Sequence, residues 1–166
     1  DTREIIRRYG GALGVRIRRD SSAKANFRID RYGGDYTAVG RGGALMGKGF
    51  TLGIADDLIK DASEALSPTI SENLWHWFLS TFLSRRNPRA KVLVNMVRWG
   101  IRDITGRILA HAKQTGTHWE HTIVRAEAEA DDILHRPEGA LLWPPGSPMH
   151  VQTAKNIRDV RPTRWY

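Results

Sequence analysis

The stretch Gly49-Phe50-Thr51-Leu52-Gly53-Ile54-Ala55-Asp56-Asp57-Leu58-Ile59-Lys60-Asp61 constrains the fold of this chain more than any other. A short apolar run, Phe50 to Ala55, ends abruptly in two adjacent carboxylates. A run of that length fits one buried strand of a parallel sheet, which puts the acids at its carboxyl end. In open α/β sheets that edge is where ligands bind. Two adjacent acids there can divide labour. Asp56 can hold Mg²⁺ through water, and Asp57 can orient or deprotonate an attacking water. The plainer alternative is a strand that runs into an acidic turn or a helix N-cap, since Asp is common in both.

The flanking sequence extends the α/β pattern. Ser67-Pro68-Thr69 reads as a helix start, and the helix runs to about Ser84. Leu74, Trp77, Phe78, Thr81 and Phe82 fall on one face of it at helical spacing. Ala90 to Met96, rich in Val and Leu, is a second buried strand. It leads into Val97-Arg98-Trp99-Gly100, which therefore lies on the ligand edge as well. Ile101, Ile104, Ile108 and Leu109 make one face of a short helix, and Trp119 to Val124 is a further strand candidate. Before the acidic pair, Thr2 to Gly10 reads as a helix and Leu13, Val15 and Ile17 alternate as a strand. Phe27 and Ile29 begin a hairpin that turns at Arg31-Tyr32-Gly33-Gly34 and returns over Asp35 to Val39. A last helix is expected over Val151 to Val160.

A glycine-rich loop, Gly40 to Gly49, precedes the acidic strand. Gly42 through Lys48 fit the G-x-x-x-x-G-K spacing of a phosphate cradle. The match fails on two counts. Position 49 is Gly, so the hydroxyl that would ligate Mg²⁺ is missing. The loop also feeds a strand, whereas a phosphate cradle needs a helix N-terminus. What remains is either a loop carrying two cations, Arg41 and Lys48, towards an anion, or a glycine-rich turn with solvated side chains.

The chain of 166 residues has a globular composition, 40% hydrophobic and 27% charged, without cysteine. No apolar run is long enough to span a bilayer. The net charge of +8 points to a polyanionic partner, most simply nucleic acid. The basic residues cluster at Arg3 to Arg19, at Arg85 to Lys91 and at Arg158 to Arg164. Such clusters suit phosphate contacts better than scattered charge does.

Taken in order, the motifs resemble those of the large terminase subunit of tailed bacteriophages, the ATP-driven DNA-packaging motor. The resemblance runs from Asp35-Tyr36-Thr37-Ala38-Val39-Gly40 through Gly42 to Gly49 and Ile54-Ala55-Asp56-Asp57-Leu58-Ile59-Lys60-Asp61. It continues in Glu64-Ala65, Ser67-Pro68-Thr69, Trp75-His76-Trp77, Val97-Arg98-Trp99, Asp103 to Leu109 and Pro137 to Pro144.

The resemblance implies a fold of the α/β class: part of a RecA-like (ASCE) P-loop ATPase core, with a mainly parallel central sheet and without its Walker A half. Residues 1–125 would be the C-terminal half of that core, and 126–166 a linker or subdomain leading towards a nuclease domain. By resemblance Asp56 is the Walker B magnesium residue and Asp57 the catalytic carboxylate. Val97-Arg98-Trp99 matches the family's coupling motif, usually Thr-Arg-Trp, which senses the γ-phosphate; Val97 lacks that hydroxyl. Lys48, with Arg41 as the fallback, matches the loop cation that reaches a neighbouring subunit's ATP as an arginine finger. Lys offers a point charge without the bidentate fork of Arg. The implied cofactors are ATP and Mg²⁺. The implied partners are double-stranded DNA, the portal protein, the small terminase subunit and further copies in a ring, with no membrane involved. The implied location is the host bacterial cytoplasm.

Two other functions stay open at this level. The charge alone would serve a non-catalytic DNA-binding or assembly module. A Mg²⁺-dependent nuclease using Asp56, Asp57 and Asp61 needs carboxylates converging from several elements, and here they come from one strand end.

Overall fold

The computed structural model describes residues 2–31, 33–41, 43, 45, 47 and 49–150. They form a mixed α/β protein with one antiparallel and one parallel sheet. The backbone clusters into two units. The first takes the chain up to Leu58 together with Glu72–Asn95, and the second takes Ile59–Ser71 with the described chain from Met96 onward.

In the first unit, helix α1 spans Thr2–Tyr9 and passes into a 3-10 turn over Gly10–Leu13. The turn stops at Gly14, whose φ of 66° lies in the left-handed region that glycine adopts without strain. The expected strand at Leu13 is therefore displaced. Leu13 closes the turn, and β1 runs over Ile17–Ser22. β2 (Asn26–Ile29) and β3 (Asp35–Thr37) follow as the expected hairpin, giving the antiparallel order β1-β2-β3. Phe27 is fully buried in it and stacks on its cross-strand partner Tyr36 at 4.6 Å between ring centroids.

The parallel sheet pairs β4 (Phe50–Asp56) with β5 (Arg86–Asn95). Their register runs Gly53 to Val92, Ile54 to Leu93, Ala55 to Val94 and Asp56 to Asn95. β5 starts earlier than its apolar run suggested, because Phe50 pairs with Arg86 while Leu52 already pairs with Lys91. The intervening bulge holds Pro88, which has no N–H for a ladder, and Arg89 at a φ of 67°.

One face of this sheet is packed. Helix α3 (Pro68–Trp77) crosses from the second unit into the first and continues as a π-turn (Phe78–Phe82) and a 3-10 turn (Leu83–Arg85). Leu74, Phe78 and Phe82 are buried at the predicted helical spacing. Phe82 stacks on Phe50 of β4 at 5.1 Å and on Phe78 at 5.6 Å. Gly53 leaves room for these rings, since a Cβ there would lie 2.5 Å from Phe50 and 2.9 Å from Phe82. Among the described residues nothing covers the other face: Leu52, Ile54 and Leu93 are 59%, 56% and 52% exposed.

The second unit contains α2 (Ala62–Leu66), the first turn of α3 and α4 (Ile104–Thr115). Ile104, Ile108 and Ala112 are buried along one face of α4. Ile101, expected on that face, precedes the helix and is exposed. Trp119 to Val124, expected as a strand, is irregular. Beyond it Glu127 bridges Leu141, and Arg136 fastens the intervening loop. Its guanidinium grips the Asp132 carboxylate through two nitrogens and donates to the Arg125 carbonyl at 2.7 Å.

Of the expected mainly parallel central sheet, the structure shows a small parallel part beside an antiparallel one. Among the described residues the parallel part is two strands, and the other three strands are antiparallel. The alternation of Phe27 and Ile29 around a tight turn favours local hairpin pairing, which is antiparallel by geometry. The helix expected at Val151–Val160 lies outside the described residues.

Candidate functional site

The acidic pair stands where the apolar run predicted, at the carboxyl end of β4. Because β5 is parallel, its carboxyl end lies on the same edge, and Asp56 is paired with Asn95. The Asn95 side-chain amide donates to Asp56 Oδ1 at 2.8 Å. No described residue takes the other carboxylate oxygen, and Asp56 is exposed.

Asp57 leaves the strand sharply. Its φ is 45°, the left-handed region that Asp and Asn tolerate better than most side chains. Its backbone N–H donates to the Asn95 carbonyl at 2.9 Å, so the turn is anchored to β5 while the carboxylate stays exposed. Backbone strain of this kind clusters at functional sites. One residue on, the Leu58 carbonyl accepts a hydrogen bond from Arg41 Nη1 at 3.0 Å. Arg41 therefore reaches the acidic turn of its own chain. Lys48 lies outside the described residues. The segment after the glycine-rich loop is strand β4, not a helix.

Asp56, Asp57, Asn95 and Arg41 thus converge at one strand end. No sequence argument singled out Asn95. Its signal was a lone amide interrupting the Val- and Leu-rich run at the level of the acids.

Val97, Arg98 and Trp99 belong to the second unit, in the loop before α4. Val97 is exposed. Arg98 Nε donates to Asp103 Oδ2 at 2.8 Å, and its Nη2 to the Gly100 carbonyl at 3.0 Å. The same carboxylate accepts from the backbone N–H of Trp99 at 2.9 Å, and through Oδ1 from that of Gly106 at 2.8 Å. Asp103 is thus both the N-cap of α4 and the clasp of the loop, with its side chain 4% exposed. The spacing Asp103-Ile104-Thr105-Gly106, an Asp before an apolar helix, was its sequence signal.

Asp61, the third acid of the nuclease reading, caps α2 by accepting from the Glu64 N–H at 3.0 Å. Asp132 is held by Arg136, whose hydrogen bond is the main cause that draws its carboxyl pKa down to about 2. Among the described residues no group of three His, Cys, Asp or Glu side chains is placed to hold a metal ion.

No protein family, curated protein or solved structure matches this chain.

A Mg²⁺ ion fits Asp56 in one limited sense. A hard carboxylate with one oxygen steadied by an amide and the other open suits an ion that keeps most of its waters and takes the rest of its ligands from substrate phosphates. Among the described residues the site offers one such carboxylate and no closed protein cage. No helix among the described residues is long and apolar enough to cross a membrane.

Proposed function

We propose that this chain is a segment of an ATP-driven DNA-packaging motor of the large terminase type, carrying the acidic strand end that acts on the γ-phosphate. The observation that carries the reading is the Asp56–Asp57 pair at the carboxyl end of β4, braced by Asn95 from the parallel neighbour. A RecA-like core would place a strand pair of this kind at the centre of a larger parallel sheet. The exposure of Leu52, Ile54 and Leu93 among the described residues supports that, because parallel sheets are normally covered on both faces.

In this reading Asn95 steadies the Asp56 carboxylate against a hydrated Mg²⁺. Bound there, Mg²⁺ would neutralise charge on the β- and γ-phosphates. Asp57, exposed on a strained turn, orients the attacking water and accepts its proton. Arg41, hydrogen-bonded to Leu58, fixes the loop beside the pair. Val97, Arg98 and Trp99 would couple the nucleotide state to movement once the Arg98–Asp103 clasp opens. The partners proposed are double-stranded DNA, a portal and a small subunit in the bacterial cytoplasm, with a ring of copies as the working form.

The test is ATP hydrolysis by the full-length gene product in the presence of DNA. Asp57→Asn is expected to lower it at least 100-fold while salt-dependent DNA binding persists. Unchanged hydrolysis would overturn the reading. A second reading, a basic module that binds nucleic acid without hydrolysis, rests on the +8 charge and on the Arg clusters. It expects DNA binding with no ATPase activity in either protein.

A further inference from the structure

We infer that the groove between α1 and β1 binds the phosphodiester backbone of a nucleic acid through Arg7, Arg16 and Arg19. The groove has a volume of about 590 Å³ and is lined by these three arginines, by Arg18 and by an apolar strip that includes Ile6 and Ile17. Among the described residues no carboxylate lines it. Arg18 is ion-paired with Asp20, which neutralises its charge. Arg7, Arg16 and Arg19 are exposed, and no acceptor among the described residues pairs with any of them.

The groove is built, not merely charged. Arg3 reaches from α1 to the Ser22 carbonyl of β1 at 2.9 Å and ties its two walls together. The Val15 N–H donates to the Gly10 carbonyl at 2.8 Å, closing the turn that folds α1 back on β1. The Arg16 carbonyl accepts from the Asp30 N–H at 2.7 Å, which fixes the backbone from which that side chain projects.

Three guanidiniums lining one groove repel one another, and a polyanion relieves that repulsion. Their planar forks match phosphate oxygens. The groove is open, with its cations on two elements, which suits a strand of phosphates running past better than one enclosed anion.

The inference deepens the nucleic-acid half of the proposed function and rests on that reading, but the ATP site has no part in it. Its test is fluorescence anisotropy with duplex and single-stranded DNA of one length, between 50 and 200 mM salt, on the whole chain. The triple variant Arg7→Gln, Arg16→Gln, Arg19→Gln is compared with the charge-matched control Lys24→Gln, Arg102→Gln, Lys113→Gln, both checked for folding by circular dichroism. Loss of three phosphate contacts is expected to flatten the log–log salt slope by about 2.7 for duplex and about 2 for single strands. For duplex this means the unmodified protein loses about 40-fold more affinity across that range than the groove variant does. Whichever DNA form shows its full slope change is the natural ligand form. Equal weakening by both triples would mean bulk charge alone and would sink the inference. Unchanged binding by the groove variant would place the DNA elsewhere and leave the DNA reading standing. Failure of the unmodified protein to bind either DNA would overturn both.

Discussion

The side-chain amide of Asn95 donates to the carboxylate of Asp56 at 2.8 Å, joining residues 39 positions apart across the parallel pair β4–β5. This bond fixes one carboxylate oxygen and leaves the other outward. It separates the roles of the adjacent acids, because Asp56 is braced by a side chain and Asp57 only by its backbone. Asn95→Ala should leave the fold intact, since both residues are exposed. Partners that orient a metal-bound carboxylate typically affect activity 10- to 100-fold, so under the proposed function ATP hydrolysis by the full-length product should fall by about that factor. Activity within twofold of the unmodified protein would remove Asn95 from the site.

The backbone at Asp57 makes its own prediction. A φ of 45° disfavours most side chains. Asp57→Gly should be at least as stable as the unmodified chain in urea denaturation, and Asp57→Val less stable by about 1 kcal/mol. Asp57→Asn should keep the fold, because Asn tolerates the same conformation. If Val were as stable as Gly, the turn would not be strained.

Gly53 has no space for a methyl group between the rings of Phe50 and Phe82. Gly53→Ala is expected to destabilise the chain by about 1–3 kcal/mol through overpacking, read as a fall in thermal midpoint with a changed aromatic near-ultraviolet signal. No loss would show that the rings move aside freely.

Asp103 caps α4 and clasps the loop that holds Arg98. Asp103→Ala should cost about 1–2 kcal/mol and raise hydrogen exchange at the Gly106 amide, its cap partner. Asp103→Asn should recover part of the loss by keeping an oxygen for that amide.

Acid should act on the loop held by Asp132 and Arg136. The folded Asp132 carboxyl titrates at about 2, below its ordinary value near 3.8, chiefly because Arg136 hydrogen-bonds to its charged form. A depressed carboxyl stabilises the fold above its unfolded value, and that contribution is lost as pH falls from about 4 towards about 2. Asp132→Asn should therefore lower stability at neutral pH and flatten its decline between those limits. Arg136→Lys should weaken the loop at all pH values, since Lys cannot bond Asp132 twice and also reach the Arg125 carbonyl.

Local periodicity made much of the fold legible. The spacing of Leu74, Phe78 and Phe82 marked the buried face of α3 and its continuation, and Ser67-Pro68 marked its start. The alternation around Arg31 to Gly34 marked the hairpin, and the run Phe50 to Ala55 marked a strand ending in acids. Trp119 to Val124 shows where such reasoning stops. β-propensity describes a fit to a half-buried pleated surface, and with no strand among the described residues beside it that segment is irregular.

The chain by itself determined which residue types stand at the carboxyl end of β4, because the length of an apolar run and the charges that end it are properties of neighbours in sequence. Tertiary structure decided what those acids touch. The partner of Asp56 is set by a strand register that a bulge at residues 87–90 shifts, and no spacing in the sequence encodes that shift. Arg41 meets Leu58 across 17 positions, and Arg98 turns to Asp103 instead of standing free. Sequence periodicity reports which face of an element is apolar. Which polar atoms then meet depends on packing between elements, where the displacement of one strand by one residue changes every partner.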